Sequence, residues 1–141
     1  MTLATALQTN SSLIKLNLGY NQIGPEGAQA LATALEHNLS LTELGLGDNQ
    51  IGSEGAQALA SALQTNSSLI KLYLVCNGIR AADALAAIDN ALLANNNTKE
   101  LKSTQVEGQE AEKTGGSATE ASGVFHVARL KCNKAESTQG L

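Results

Sequence analysis

The stretch LIKLNLGYNQIGPEGAQALATALEHNLS at residues 13–40 is followed without a gap by LTELGLGDNQIGSEGAQALASALQTNSS at residues 41–68, and a third copy opens LIKLYLVCNGIR at residues 69–80. Leu13, Leu41 and Leu69 head the copies, so the period is 28 residues. A fixed period between about 20 and 50 residues marks a solenoid in which one supersecondary unit is stacked on the next, in place of a domain closed around a single core.

Each copy divides into two halves with different periodicities. Leu16 and Leu18 alternate with Lys15 and Asn17, the period of two that belongs to a short strand. Gly24-Pro25-Glu26 then reads as a helix start, with proline at the first helical position and a carboxylate beside the positive end of the helix dipole. Ala28, Leu31 and Leu35 follow at helical spacing, and the helix is expected to stop near Asn38. Gly52, Ser53, Glu54, Ala56, Leu59, Leu63 and Asn66 repeat the pattern in the second copy. A strand and a helix alternating at constant length place successive strands parallel and side by side, with the helices on the outer, convex side.

Leu13, Leu16, Leu18, Asn21 and Ile23 recur as Leu41, Leu44, Leu46, Asn49 and Ile51, and again as Leu69, Leu72, Leu74, Asn77 and Ile79. This LxxLxLxxNxI pattern, followed by a helix, resembles the leucine-rich repeat over roughly residues 2–101. The 28-residue length with a full helix is similar to the ribonuclease-inhibitor-like subtype, found also in NOD-like receptors. The resemblance implies an α/β solenoid, a horseshoe segment with short parallel strands on its concave side and helices on its convex side. It also implies an inward ladder of Asn21, Asn49 and Asn77. That ladder makes physical sense, because an amide donates and accepts at once where the backbone leaves the sheet.

Composition agrees with thin, aliphatic repeats. Tyr20, Tyr73 and Phe125 are the only aromatic residues, so the core has to be built from leucine, isoleucine and alanine. Cys76 and Cys132 are too few for a secreted disulfide scaffold and show no metal-ligand spacing, which makes a reducing compartment the default. No apolar run approaches the ~20 residues that span a bilayer, and the first residues carry no signal-peptide pattern. A cytoplasmic chain with no membrane partner is expected. Four N-glycosylation sequons begin at Asn10, Asn38, Asn66 and Asn96. Three of them recur with the repeat at the helix-to-strand turn, where asparagine and serine suit the turn itself.

Residues 1–98 carry Lys15, Lys71 and Arg80 against Glu26, Glu36, Glu43, Asp48, Glu54, Asp83 and Asp89, so the net charge of −4 resides in the repeats. With no basic stripe and no stacking aromatics, nucleic acid is disfavoured as a partner. Catalytic constellations are missing as well. His37 falls at a helix end and His126 stands alone, and the GPEG of residues 24–27 is neither a GxxxxGK[ST] nor a GxGxxG phosphate motif. No catalytic, cofactor-binding or metal residue is therefore expected, and the chain is not read as an enzyme.

Outward positions between the core leucines align in columns across adjacent strands: Lys15, Glu43 and Lys71; Asn17, Gly45 and Tyr73; Tyr20, Asp48 and Cys76. Opposite charges neighbour each other in the first column and are expected to pair. The tyrosines and Asp48 are the stronger contact candidates, because tyrosine offers a large area with a polar tip. The candidate partner-binding surface is thus Lys15, Asn17, Tyr20, Glu43, Asp48, Lys71 and Tyr73 on the concave face.

The period does not hold to the end. Ile88 and Leu92 come one residue later than Leu31 and Leu35 imply, so the third unit is about 29 residues long. In the strand expected next, Thr98, Leu101 and Ser103 stand where three leucines are expected, so only Leu101 keeps the pattern. Three segments follow: an array over residues 1–102, a polar linker over 103–123 expected to be disordered, and a tail over 124–141 that offers Val124, Phe125, Val127 and Leu130 for a short capping element. Leu3, Ala6 and Leu7 align with Leu31, Ala34 and Leu35, so the array is already running when the chain opens. The expectation is an interior slice of a larger array that binds a protein partner on its concave sheet. The alternatives are an enzyme-inhibitor-like regulator, and a truncated array that self-associates through its uncapped edge.

Overall fold

A computed structural model describes residues 2–107, with side chains described through residue 100. The elements run α1 (Leu3–Thr9), β1 (Lys15–Asn17), α2 (Gly24–His37), β2 (Glu43–Gly45), α3 (Gly52–Leu63), β3 (Lys71–Tyr73) and α4 (Ala82–Glu107). The three strands form one parallel sheet in the order β1-β2-β3. Their register follows the repeat: Leu16 stands opposite Leu44, and Leu44 opposite Leu72. Each helix packs on the next along the stack, α1 on α2, α2 on α3 and α3 on α4. This is the expected strand-and-helix solenoid.

The core lies between sheet and helices and is made of the repeated positions. Leu41, Leu44, Leu46 and Ile51 of the second copy and Leu69 and Leu72 of the third have no exposed surface, and neither have Leu35 and Leu59 from the helices. Complete burial of such a side chain stabilises by roughly 1.5–3 kcal/mol. The corresponding Leu13, Leu16, Leu18 and Ile23 of the first copy are only partly buried, because no described strand flanks β1 on its other side.

Two asparagine ladders tie the units together. In the first, Asn49 Nδ2 donates to the carbonyls of Leu18 at 2.9 Å, Leu46 at 3.0 Å and Gly47 at 3.2 Å. Its Oδ1 accepts from the Asn21 and Ile23 amides of the preceding copy at 3.2 and 3.4 Å. Asn77 repeats the arrangement one unit on, donating to Leu46 O at 2.7 Å and accepting from the Asn49 and Ile51 amides. The expected inward ladder is thus present, although Asn21 at its open end remains exposed.

The second ladder consists of residues read from sequence as turn formers. Asn38 Nδ2 donates to Leu7 O and Asn10 O, Asn66 Nδ2 to Leu35 O and Asn38 O, and Asn95 Nδ2 to Asn66 O and Leu69 O. The Oδ1 of Asn38 accepts the amides of Ser40 and Leu41, and that of Asn66 accepts those of Ser68 and Leu69. Asn38 and Asn66 are 1% and 2% exposed, so two of the four sequons are structural rungs with their amides already engaged.

The third unit departs from the first two after its strand. Asn95 takes the ladder position 29 residues beyond Asn66, the one-residue stretch expected for this copy. No turn follows it among the described residues. Instead α4 runs for 26 residues, through residue 102 to Glu107, over a stretch without glycine or proline. Lys99 on this helix donates from Nζ to Ser68 O at 3.0 Å, and Ser53 Oγ of the preceding unit accepts the Arg80 and Ala81 amides at the start of α4. The rest of the expected linker and the tail over 124–141 lie outside the described residues.

Candidate functional site on the concave sheet

The open face of the sheet holds a groove of about 520 Å³. Its floor is formed largely by Gly45 and Gly47 of the central unit, beside Leu16, Gly19 and Val75. The central repeat carries glycine where its neighbours carry Asn17 and Tyr73, and this local difference between copies cuts the groove. A Cβ at Gly45 would meet Asn17 Oδ1 at 2.7 Å, so the Asn17 side chain leans over the space that the glycine leaves. Asn17 Oδ1 accepts the Gly19 amide at 3.0 Å, which holds it in that pose.

Tyr20, Asp48 and Cys76 line the groove beyond the strand ends. All three adopt left-handed backbone, with φ of 60°, 56° and 57°. This conformation is uncommon for residues other than glycine and recurs here because each bend must turn the chain from the strand into the asparagine-bound loop. The bends are linked, Tyr20 N donating to Gly47 O at 2.9 Å and Asp48 N to Val75 O at 2.8 Å. Tyr20 is 85% exposed, a large apolar ring held in solvent by rigid backbone. Tyr73 on β3 is half-buried.

At the other end of the groove, Glu43 accepts from both neighbours in its column. Its Oε2 lies 3.4 Å from Lys15 Nζ and 3.8 Å from Lys71 Nζ, as the alternation of charges led us to expect. The lysines remain 71% and 50% exposed at their side chains, so the cluster contributes little to stability and leaves one cationic group in excess at this end.

Of the seven residues expected from sequence, Lys15, Asn17, Tyr20, Glu43, Asp48 and Tyr73 line the groove together, and Lys71 is attached to it through Glu43. The sequence reading set Gly45 and Cys76 in these columns without counting them as contact candidates, and it overlooked Gly47 and Val75. The available signal was the replacement of a side chain by hydrogen at Gly45 in an otherwise conforming column. Cys76 is disulfide-bonded. The chain's other cysteine, Cys132, is outside the described residues.

His37, at the end of α2, has its Nδ1 3.1 Å from Thr33 O within its own helix. No group of His, Cys, Asp and Glu that could hold a metal ion occurs among the described residues, and no described helix is long and apolar enough to cross a membrane.

A profile of the Leucine Rich repeat matches residues 9–32 and 37–60, two successive units. No curated protein matches the sequence. Among solved structures, Leiomodin-1 Actin-Binding Site 2 is similar, with a TM-score of 0.60 and 22% identity over 75% of this chain and 77% of that one. At that identity the likeness concerns the fold. Two units of the chain match the leucine-rich repeat, and these units, the parallel ladder of strands and the structural likeness together show an α/β repeat-solenoid fold.

Proposed function

We propose that the chain is a non-catalytic protein-interaction module whose partner docks in the concave groove. The observation that carries this reading is the glycine-floored notch between Tyr20 and Tyr73, with a charged cluster at one end and Asp48 at the other. Exposed tyrosines on rigid backbone supply contact area with little loss of conformational freedom, which is the property of interface hot spots. Lys15, Asn17, Glu43 and Lys71 form the polar rim. The helix in every 28-residue unit supports the ribonuclease-inhibitor-like subtype, and a cytoplasmic setting remains the default for this composition.

The test places a photo-crosslinking residue at Tyr73 in one variant and at exposed Gln57 on the convex side in another. A partner captured from position 73, not from 57, and weakened at least tenfold by Tyr73→Ala supports the groove. Actin is the first defined probe, since the similar leiomodin-1 segment is an actin-binding site. Equal capture from both faces would sink the concave assignment.

A second reading rests on the β1 edge. Ile14 is 50% exposed there, and Leu13, Leu16 and Leu18 are incompletely buried. A second copy of the chain could cover this edge. Sedimentation equilibrium tests it: a mass that rises with concentration in the native chain and stays monomeric in Ile14→Lys supports association, whereas a monomer throughout rejects it.

A further inference from the structure

The groove is a trough that follows the central unit. Glu43, Gly45, Gly47 and Asp48 line it along its length, while Asn17 and Tyr20 of the first unit stand on one side and Tyr73 and Val75 of the third on the other. Two strand spacings put the flanking backbones about 10 Å apart, and the path from Glu43 to Asp48 is at most about 16 Å long. An α-helix with its side chains is about 10–12 Å across and does not fit between ridges whose backbones stand that close, whereas an extended chain of about four or five residues does.

Backbone groups at the floor are spent within the sheet. Gly45 O accepts from Leu18 N at 2.8 Å and Gly47 O from Tyr20 N at 2.9 Å. An occupant of the trough is therefore held by its side chains and not as an added strand, which would need a free sheet edge. Asn17 adds one polar handle: its Oδ1 accepts the Gly19 amide at 3.0 Å, and its Nδ2 has no acceptor among the described residues, so that group can donate to a carbonyl of the occupant.

Charge distinguishes one end. Lys15 Nζ and Lys71 Nζ approach the same Glu43 oxygen at 3.4 and 3.8 Å, which leaves one positive charge uncompensated where the trough begins. Side chains on one face of an extended chain are two residues apart, as are Glu43 and Gly45 along β2. An acidic side chain at the lysines thus brings the side chain two positions away over the glycine floor, where a large apolar group fills the gap beside Leu16 and the Tyr73 ring.

We propose that the trough takes an extended segment of a partner protein in which an acidic residue and a large apolar residue are separated by one position. The acid meets Lys15 and Lys71, and the apolar side chain lies on Gly45 and Gly47. This rests on the concave groove being the partner site and names what that site recognises.

The test selects phage-displayed random linear peptides on the full chain and measures the selected peptides, once synthesised, by fluorescence anisotropy. Peptides with an acid and a large apolar residue at this spacing, in either order, are expected to be enriched. Gly45→Asn copies the Asn17 of the first unit, and Gly45 is not among the glycines in left-handed backbone, so the variant should keep the native circular dichroism spectrum. By filling the floor it should weaken these peptides at least about tenfold. Glu43→Gln leaves both lysines uncompensated and should tighten binding about threefold, an effect that 1 M salt removes. Enrichment of no sequence, or of sequences without an acid at this spacing, would overturn the proposal. So would affinity unchanged by Gly45→Asn or lowered by Glu43→Gln. If Gly45→Asn does not fold, Glu43→Gln leaves the floor intact and decides the matter together with the selected motif. Peptides lost in Tyr73→Ala but retained in Gly45→Asn would reject the trough and leave the concave face as the partner site; peptides indifferent to both substitutions would count against both ideas.

Discussion

Asn49 makes hydrogen bonds that no apolar residue at its position could replace. Its amide serves three carbonyls and its oxygen two backbone amides of the preceding unit, all inside a side chain with no exposed surface. Removing it leaves several backbone groups away from water without partners, each costing about 1–3 kcal/mol when truly dry. We expect Asn49→Ala to destabilise by about 2–4 kcal/mol in urea denaturation. Asn21→Ala should cost under about 1 kcal/mol, since Asn21 is exposed and water can take over its two carbonyl contacts. Equal losses at the two positions would contradict the ladder account. The column of asparagines at 21, 49 and 77 was legible in the sequence, because position and residue type both repeat. The second column was legible as a turn only, since nothing in the sequence says that the Asn66 amide reaches Leu35 O, 31 residues back.

α2 and α3 approach one another closely, and Gly55 near the start of α3 permits it. A Cβ at Gly55 would overlap Ile51 Cγ2 and lie 2.9 Å from Ala28 Cβ on the neighbouring helix. Alanine is a better helix former than glycine by about 1 kcal/mol, so propensity alone would make Gly55→Ala stabilising. Overpacking costs about 1–3 kcal/mol in a tight interior, and here it dominates because Ala28 Cβ is fixed to the backbone of α2, Pro25 Cα lies 3.4 Å away, and Ile51 is a fully buried β-branched side chain. The expected result is a net loss of about 1–2 kcal/mol by thermal or urea unfolding; a gain would show that α2 and α3 can separate without cost. In the third unit Asp83 stands at the corresponding position and is exposed, at the start of the longer α4. That departure was visible in the sequence as a broken column. Its consequence, a helix that continues past the last asparagine rung, was not, because the next strand fails only in competition with helix extension.

At the scale of the whole molecule, stability is a sum over neighbouring units and is lowest at the ends of the stack. Leu44 has neighbours on both sides and no exposed surface, while Leu16 on edge strand β1 is half-buried. Leu44→Ala is expected to cost about 3–5 kcal/mol and Leu16→Ala about 1–2.5 kcal/mol, read from urea midpoints at constant slope. If Leu16→Ala cost as much as Leu44→Ala, the β1 edge would have to be covered in solution, as the second reading of function requires.

By itself the sequence determined what depends on period: the strand and helix in each unit, their parallel order, the leucine core and the columns of the concave face. Those follow because a side chain's direction in a strand or helix is set by its position in the repeat. Tertiary structure alone decided what depends on differences between stacked units. It determined that glycine at one position in the central copy opens a groove between Tyr20 and Tyr73, and that Asn38 and Asn66 are buried rungs with their amides already engaged. Such features depend on distances between residues 26 to 31 apart in the chain, which the stacking of neighbouring units sets.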